Sequence, residues 1–209
     1  MYFCNMRNAR ILIAVMLICL SCGNAVRQPE HGELPYGEMR EGDLVFRCGM
    51  GMFSRAVTAE EKEALYSHVG LLLKDSTEWV VVHSVPREPD FKGDFDRVKK
   101  EPIESFLSMK RAAKAAIAHT GLADSVKLDE MRASAFQAFR DSLRFDDGYS
   151  LQDSTRQYCS EFVWRLYLRA GIDLSEGRRM KMNVFLMDGD CILPEHLYKY
   201  KENEFYYNF

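Results

Sequence analysis

Three short stretches, Asp43–Phe46, His68–Leu73 and Trp79–Ser84, are rich in Val, Leu and aromatic side chains and are predicted to be strands. The polar Lys74–Glu78 segment separates the last two, which therefore read as a hairpin. Between the first two, Ser54–Ala64 alternates apolar and charged residues and predicts a short helix. The alanine-rich Arg111–His119 favours a helix by propensity, but its place between loops and ahead of a strong helix suits a strand, and it is read as one. Met131, Ala135, Phe136, Phe139 and Leu143 recur at helical spacing and predict a helix over Leu128–Leu143, with Asp129 and Glu130 in its first turn, where the dipole favours negative charge. A second helix is predicted over Cys159–Ala170, with Phe162, Val163, Leu166 and Tyr167 as its apolar stripe and Gly171 placed to stop it. Arg87–Lys100 and Gly177–Asp190 are charged and lack a period, so they read as loops that wall a cleft. The whole is an α+β pattern.

The ends change that picture. Arg7 and Arg10 precede an apolar run, Ile11–Leu20, that closes on Ser21, Cys22 and Gly23. The run is shorter than the roughly 20 residues needed to span a bilayer, so it reads as a cleavable signal peptide over residues 1–21. Asn24 to about Arg40 carries Gly, Pro and charge without apolar period, so residues 22–38 read as a tether and 39–209 as one folded domain. With a net charge of −3 and no basic stripe, the chain is not expected to bind nucleic acid. Of six cysteines, Cys4 and Cys19 fall in the signal segment. Cys48 and Cys191 lack a helix-start context and are expected to be inert or paired. Apart from Cys19-Leu20-Ser21-Cys22 at the end of the apolar run, no Cys-x-x-Cys or His-Glu-x-x-His motif is found, and His31, His119 and His196 have no second ligand at metal spacing, so neither a metal nor a cofactor is expected.

Cys159 differs from the other cysteines by its place at a predicted helix N-terminus, which favours a thiolate and offers unpaired backbone amides to an oxyanion. Tyr158, Ser160 and Glu161 bracket it with polar groups, as at an exposed helix end beside a cleft. A cysteine nucleophile needs a base, and the base an orienting partner. His68 opens one strand of the hairpin and His83 ends the other, so antiparallel pairing brings them together. His68 is the candidate base and His83 the group that fixes its tautomer. Asp43, after Gly42, reads as structural, bonding backbone amides at the strand start.

Gly42-Asp43-Leu44-Val45-Phe46, Ser67-His68-Val69-Gly70-Leu71, Val82-His83-Ser84 and Tyr158-Cys159-Ser160-Glu161-Phe162-Val163 resemble the motifs of NlpC-type cell-wall cysteine peptidases. Here the cysteine comes last, so the order is similar to that of the circularly permuted YiiX/YaeF-type papain-like amidases. The resemblance spans Glu41–Ile172 and extends to Ile192-Leu193-Pro194-Glu195-His196-Leu197. It implies an antiparallel sheet or partial barrel packed on helices, with Cys159 as nucleophile, His68 as base and His83 as third member. Permuted relatives often have Glu at the third position. They also often have Tyr-Asp where this chain has Phe145-Asp146, so an oxyanion-hole hydroxyl is either lost or supplied by Tyr149 or Tyr158. Leu20-Ser21-Cys22 resembles a lipobox, which implies lipidation of Cys22 and a membrane anchor on the cell envelope. Three functions follow as expectations: an amidase acting on wall peptides, a lipid acyl hydrolase or acyltransferase like the lecithin:retinol acyltransferase group, and a non-catalytic peptide or amine binder.

Overall fold

The computed structural model describes residues 33–49, 64–184 and 187–209, with the backbone alone described for 182–184, 187 and 188. The signal segment, Cys22 and the predicted helix from Ser54 up to residue 63 lie outside them. Among the described residues no helix is long and apolar enough to cross a membrane.

Residues 33–209 form one unit around an antiparallel sheet of six strands in the order β4-β3-β2-β1-β5-β8. They are β1 (Leu44–Gly49), β2 (His68–Asp75), β3 (Glu78–Val85), β4 (Arg97–Pro102), β5 (Ala112–His119) and β8 (Glu204–Asn208). Helix α1 (Ile103–Phe106) follows β4, α2 (Ser125–Arg140) follows β5, and α3 (Cys159–Arg169) follows a long loop. A separate hairpin, β6 (Met180–Val184) with β7 (Met187–Cys191), and a short helix α4 (Pro194–Tyr198) precede β8.

The sheet is apolar on both faces, so its central strands read as continuous runs rather than as alternation. Leu44, Phe46, Val69, Leu71, Leu73, Val80, Val82 and Val98 meet Phe162, Val163, Leu166 and Tyr167 of α3 and Met131 and Ala135 of α2. On the other face Val45, Leu72, Val81 and Ile117 pack with Ile103, Phe106 and Leu107 around α1. The β2–β3 hairpin is tighter than the sequence suggests: Asp75 pairs with Glu78 across a turn in which Ser76 takes a φ of 58°. The alanine-rich segment is indeed strand β5.

Several boundaries move, each for an identifiable reason. Helix α2 begins at Ser125 because Asp124 caps it, accepting from the amides of Val126 at 3.0 Å and Lys127 at 3.2 Å. Asp129 and Glu130 are therefore past the first turn, and Leu143 lies beyond the helix end. Helix α3 ends at Arg169, and Gly171, at φ 84°, makes the left-handed stop. The two segments read as cleft loops contain strands. Residues 97–100 belong to β4, whose charged side chains are not free: Lys100 lies over the rings of Phe136 and Phe139, while Lys99 is buried and bonds Asp94 at 2.8 Å. Most of Gly177–Asp190 is the β6–β7 hairpin.

Asp43 accepts from the Arg40 amide at 2.9 Å and also binds His119 Nδ1 at 2.8 Å and the Tyr206 hydroxyl at 2.6 Å. It joins the start of β1 to β5 and β8 and stands apart from the histidine pair. No disulfide is formed among Cys48, Cys159 and Cys191.

Candidate active site

The β2–β3 pairing brings the two histidines into contact. His68 Nε2 lies 2.8 Å from His83 Nδ1, with both rings buried and their planes nearly perpendicular. Phe106 of α1 closes over both, at ring distances of 5.6 and 5.0 Å. Because His68 spends Nε2 on His83, Nδ1 is the nitrogen it can offer a thiol.

Cys159 is the first residue of α3. Its helix start is held in place from two directions. Ser84, next to His83, donates from Oγ to the Gln157 carbonyl at 2.5 Å, which ties the end of β3 to the turn before the cysteine. Ile192 clamps the other side: its amide donates to the Tyr158 hydroxyl at 2.8 Å, and its carbonyl accepts from Ser160 Oγ at 2.7 Å. Cys159 lies in the same core cluster as Val69, the residue after His68. Among the described residues no hydrogen bond joins the thiol to the His68 imidazole.

The electrostatics differ from the sequence expectation. Burial raises the Cys159 thiol, and this outweighs the amides of Val69, Ser160 and Cys159 that favour the thiolate. Burial, with the positive charge of Arg47 and the neighbouring His83, holds His68 well below 6.5. The resting pair is thus neutral thiol and neutral imidazole, and the proton must move during the reaction.

The polar groups around Cys159 do not form an exposed terminus. Tyr158 and Ser160 are 1% exposed, held under the 192–193 segment, and Glu161 is 0% exposed. Glu161 Oε1 accepts from Arg165 Nε at 2.7 Å, and among the described residues Oε2 has no hydrogen-bond partner. Burial pushes its carboxyl up to about 7 against the lowering effect of Arg165.

Phe145 sits in a small cluster with Tyr149, Tyr158, Cys191 and Leu193. The following Asp146 organises the loop, accepting from Gly148 N at 2.9 Å and Ser150 N at 2.7 Å, and Tyr149 is held there at a φ of 51°. Of the two tyrosines expected near the thiol, Tyr158 accepts the Ile192 amide at its hydroxyl oxygen. Tyr149 is the one whose phenol, raised first by burial, is raised next by the Cys159 sulfur. A phenol so raised keeps its proton and remains a donor.

Sequence reasoning missed three contributors. Arg47, opposite His68 in the β1–β2 register, lies over the Phe106 ring at 4.4 Å, donates to the Phe106 carbonyl at 3.1 Å and pairs with Glu88. Glu101 of β4 places Oε1 3.0 Å from His83 Nε2, and Ser84 fastens the cysteine turn. The signal for Glu101 was hidden because β4 carries buried polar residues where an alternating strand carries apolar ones.

An antiparallel sheet bearing paired histidines, followed in sequence by a helix that begins with a cysteine, defines a papain-like hydrolase in permuted order. Residues 38–205 match the family model described as permuted papain-like amidase enzyme, YaeF/YiiX, C92 family, and the chain belongs to that family. Among solved structures, metalloprotein YiiX from Escherichia coli O157:H7 shares the fold, with a TM-score of 0.65 over 81% of this chain and 97% of that one at 19% identity. No curated protein matches the chain. YiiX is described as a metalloprotein; the described residues here contain no group of three or more His, Cys, Asp or Glu side chains that could hold a metal ion, so this site does not fit one.

Proposed function

We propose that this protein is a cysteine amidase of the cell envelope that cleaves amide bonds in cell-wall peptides, with Cys159 as nucleophile, His68 as base and His83 as its orienting partner. The observation that carries the reading is the 2.8 Å contact of His68 Nε2 with His83 Nδ1, which leaves His68 Nδ1 as the ring nitrogen for the thiol proton. In the first step the thiol proton passes to His68 Nδ1 as sulfur bonds to the substrate carbonyl carbon, and the carbonyl π electrons move to oxygen. The amide of Cys159 and the Tyr149 hydroxyl are the donors for that oxyanion. The tetrahedral centre collapses, the C–N bond breaks and the imidazolium gives its proton to the leaving amine. Water then attacks the thioester, His68 takes its proton and returns it to sulfur, and a carboxylic acid leaves.

The envelope location rests on the N-terminal sequence, where the apolar run ends at Ser21-Cys22. A wall-facing, lipid-anchored enzyme meets its substrate without diffusing to it. The test is turnover of wall peptide fragments by the wild type and by Cys159→Ala. The variant is expected to keep its fold and lose all measurable hydrolysis, and full activity in it would sink the assignment.

A further inference from the structure

We propose that Glu101 is the positioning residue of this site: its carboxylate fixes the tautomers of His83 and His68 in series, so that His68 presents a bare Nδ1 to the thiol. This rests on the amidase reading above and extends it by one residue.

Two histidines in contact are ambiguous by themselves. A single proton lies between His68 Nε2 and His83 Nδ1, 2.8 Å apart. If His68 donates it, neutral His68 has a lone pair on Nδ1 and can accept the thiol proton. If His83 donates it, neutral His68 carries its only hydrogen on Nδ1 and cannot act as a base. The pair alone does not choose between these.

Glu101 breaks the tie. An ionised carboxylate only accepts, so a hydrogen must stand on His83 Nε2, 3.0 Å from Oε1. Neutral His83 is then bare at Nδ1, which obliges His68 to donate from Nε2. The order runs outward from the carboxylate to the thiol.

The surroundings aim the carboxylate. Its Oε2 accepts from Ser105 Oγ at 2.7 Å and pairs with the Arg111 guanidinium, which leaves Oε1 for His83. Among the described residues His83 Nε2 and Glu101 Oε1 are both buried without another hydrogen-bond partner, and their mutual approach is within ion-pair range though off the linear geometry of a full hydrogen bond. Burial raises the Glu101 carboxyl, but His83, Ser105 and Arg111 more than offset this and bring it to about 2, so it is ionised throughout the neutral range. Arg47 completes the balance: together with burial, its charge lowers both histidines and keeps them neutral at rest, while Glu88 neutralises Arg47 itself.

The experiment is NMR of the full protein labelled with 15N-histidine, in the wild type and in Glu101→Gln. In the wild type, both His68 and His83 should carry hydrogen on Nε2 and none on Nδ1. In Glu101→Gln, Arg111 still demands an acceptor at the Oε2 position, so the amide oxygen goes there and the NH2 group faces His83. That donor reverses the chain and moves both hydrogens to Nδ1. With a wall peptide substrate, kcat should fall about 100-fold or more while KM changes less than about threefold. A wild-type His68 protonated on Nδ1 overturns the proposal, as does a Glu101→Gln protein that keeps Nε2–H tautomers and full kcat. If the variant does not fold, the wild-type spectrum decides alone. The tautomers are read without substrate, so failure to find turnover would count against the amidase reading and leave this one standing.

Discussion

Gly70 stands in the middle of β2 between the residues that make the site, and adding one methyl group there tests the packing directly. A Cβ on Gly70 would overlap Val81 Cγ1 and lie 3.1 Å from His83 Cβ, closer than ordinary van der Waals contact. Val81 is β-branched and fully buried on the α1 side of the sheet, so it has no open rotamer to turn into. Overpacking of this kind costs about 1–3 kcal/mol. Replacing glycine also restricts the unfolded chain, which returns about 0.4–1 kcal/mol. Gly70→Ala should therefore be destabilised by about 1–2 kcal/mol net, a fall in Tm of roughly 2–8 °C for a domain of this size. Urea unfolding measures the first figure and calorimetry the second. Activity should fall further than stability, because the methyl group presses on His83 and disturbs its contact with His68. The decisive control is Val81→Ala: in that background the Gly70→Ala penalty should shrink, since the overlapping methyl is gone. A Gly70→Ala protein as stable as the wild type, or a penalty unchanged by Val81→Ala, would refute the reasoning.

The two tyrosines beside the thiol should separate cleanly. Tyr149→Phe is expected to lose about 10- to 100-fold in kcat as an oxyanion donor disappears, whereas Tyr158→Phe should cost about 1–3 kcal/mol by orphaning the buried Ile192 amide, read by urea unfolding. Alkylation of Cys159 by iodoacetamide in the substrate-free protein should rise with pH through a midpoint above that of an ordinary thiol, because burial raises it; a midpoint below pH 7 would contradict the neutral resting pair. Glu161 is raised to about 7, so the folded state binds more protons than the unfolded between its ordinary value and 7, and stability from this group falls as pH rises through that window. Glu161→Gln should remove that fall, making the variant more stable than the wild type at pH 8 by on the order of 3 kcal/mol, a figure already net of the Arg165 contact. Chemical unfolding at pH 5 and pH 8 measures the difference.

The sequence by itself determined the elements whose side chains have one job. Apolar runs fix β1, β2 and β3, because a strand buried on both faces leaves a continuous hydrophobic signature. The stripe in α3 and the glycine after it fix that helix, and a cysteine at its first residue is visible without any structure. The meeting of the two histidines at the open end of a hairpin follows from antiparallel pairing, and Asp43 at a strand start reads as structural and apart from them. The family order of these motifs is likewise a property of the chain.

Tertiary structure decided everything that depends on burial and on partners distant in sequence. Strand β4 was illegible because its positions on the α1 face are Lys99 and Glu101, which are tolerated there because Asp94, His83, Ser105 and Arg111 meet them. Strand β8 exists as a strand only because β5 offers an edge. Ser160 looks like a surface residue in the sequence and is buried because the 192–193 segment folds over it. The thiol shows the same limit most sharply. A helix N-terminus predicts a lowered pKa, but desolvation is set by the packed surroundings, and in this fold it outweighs the helix.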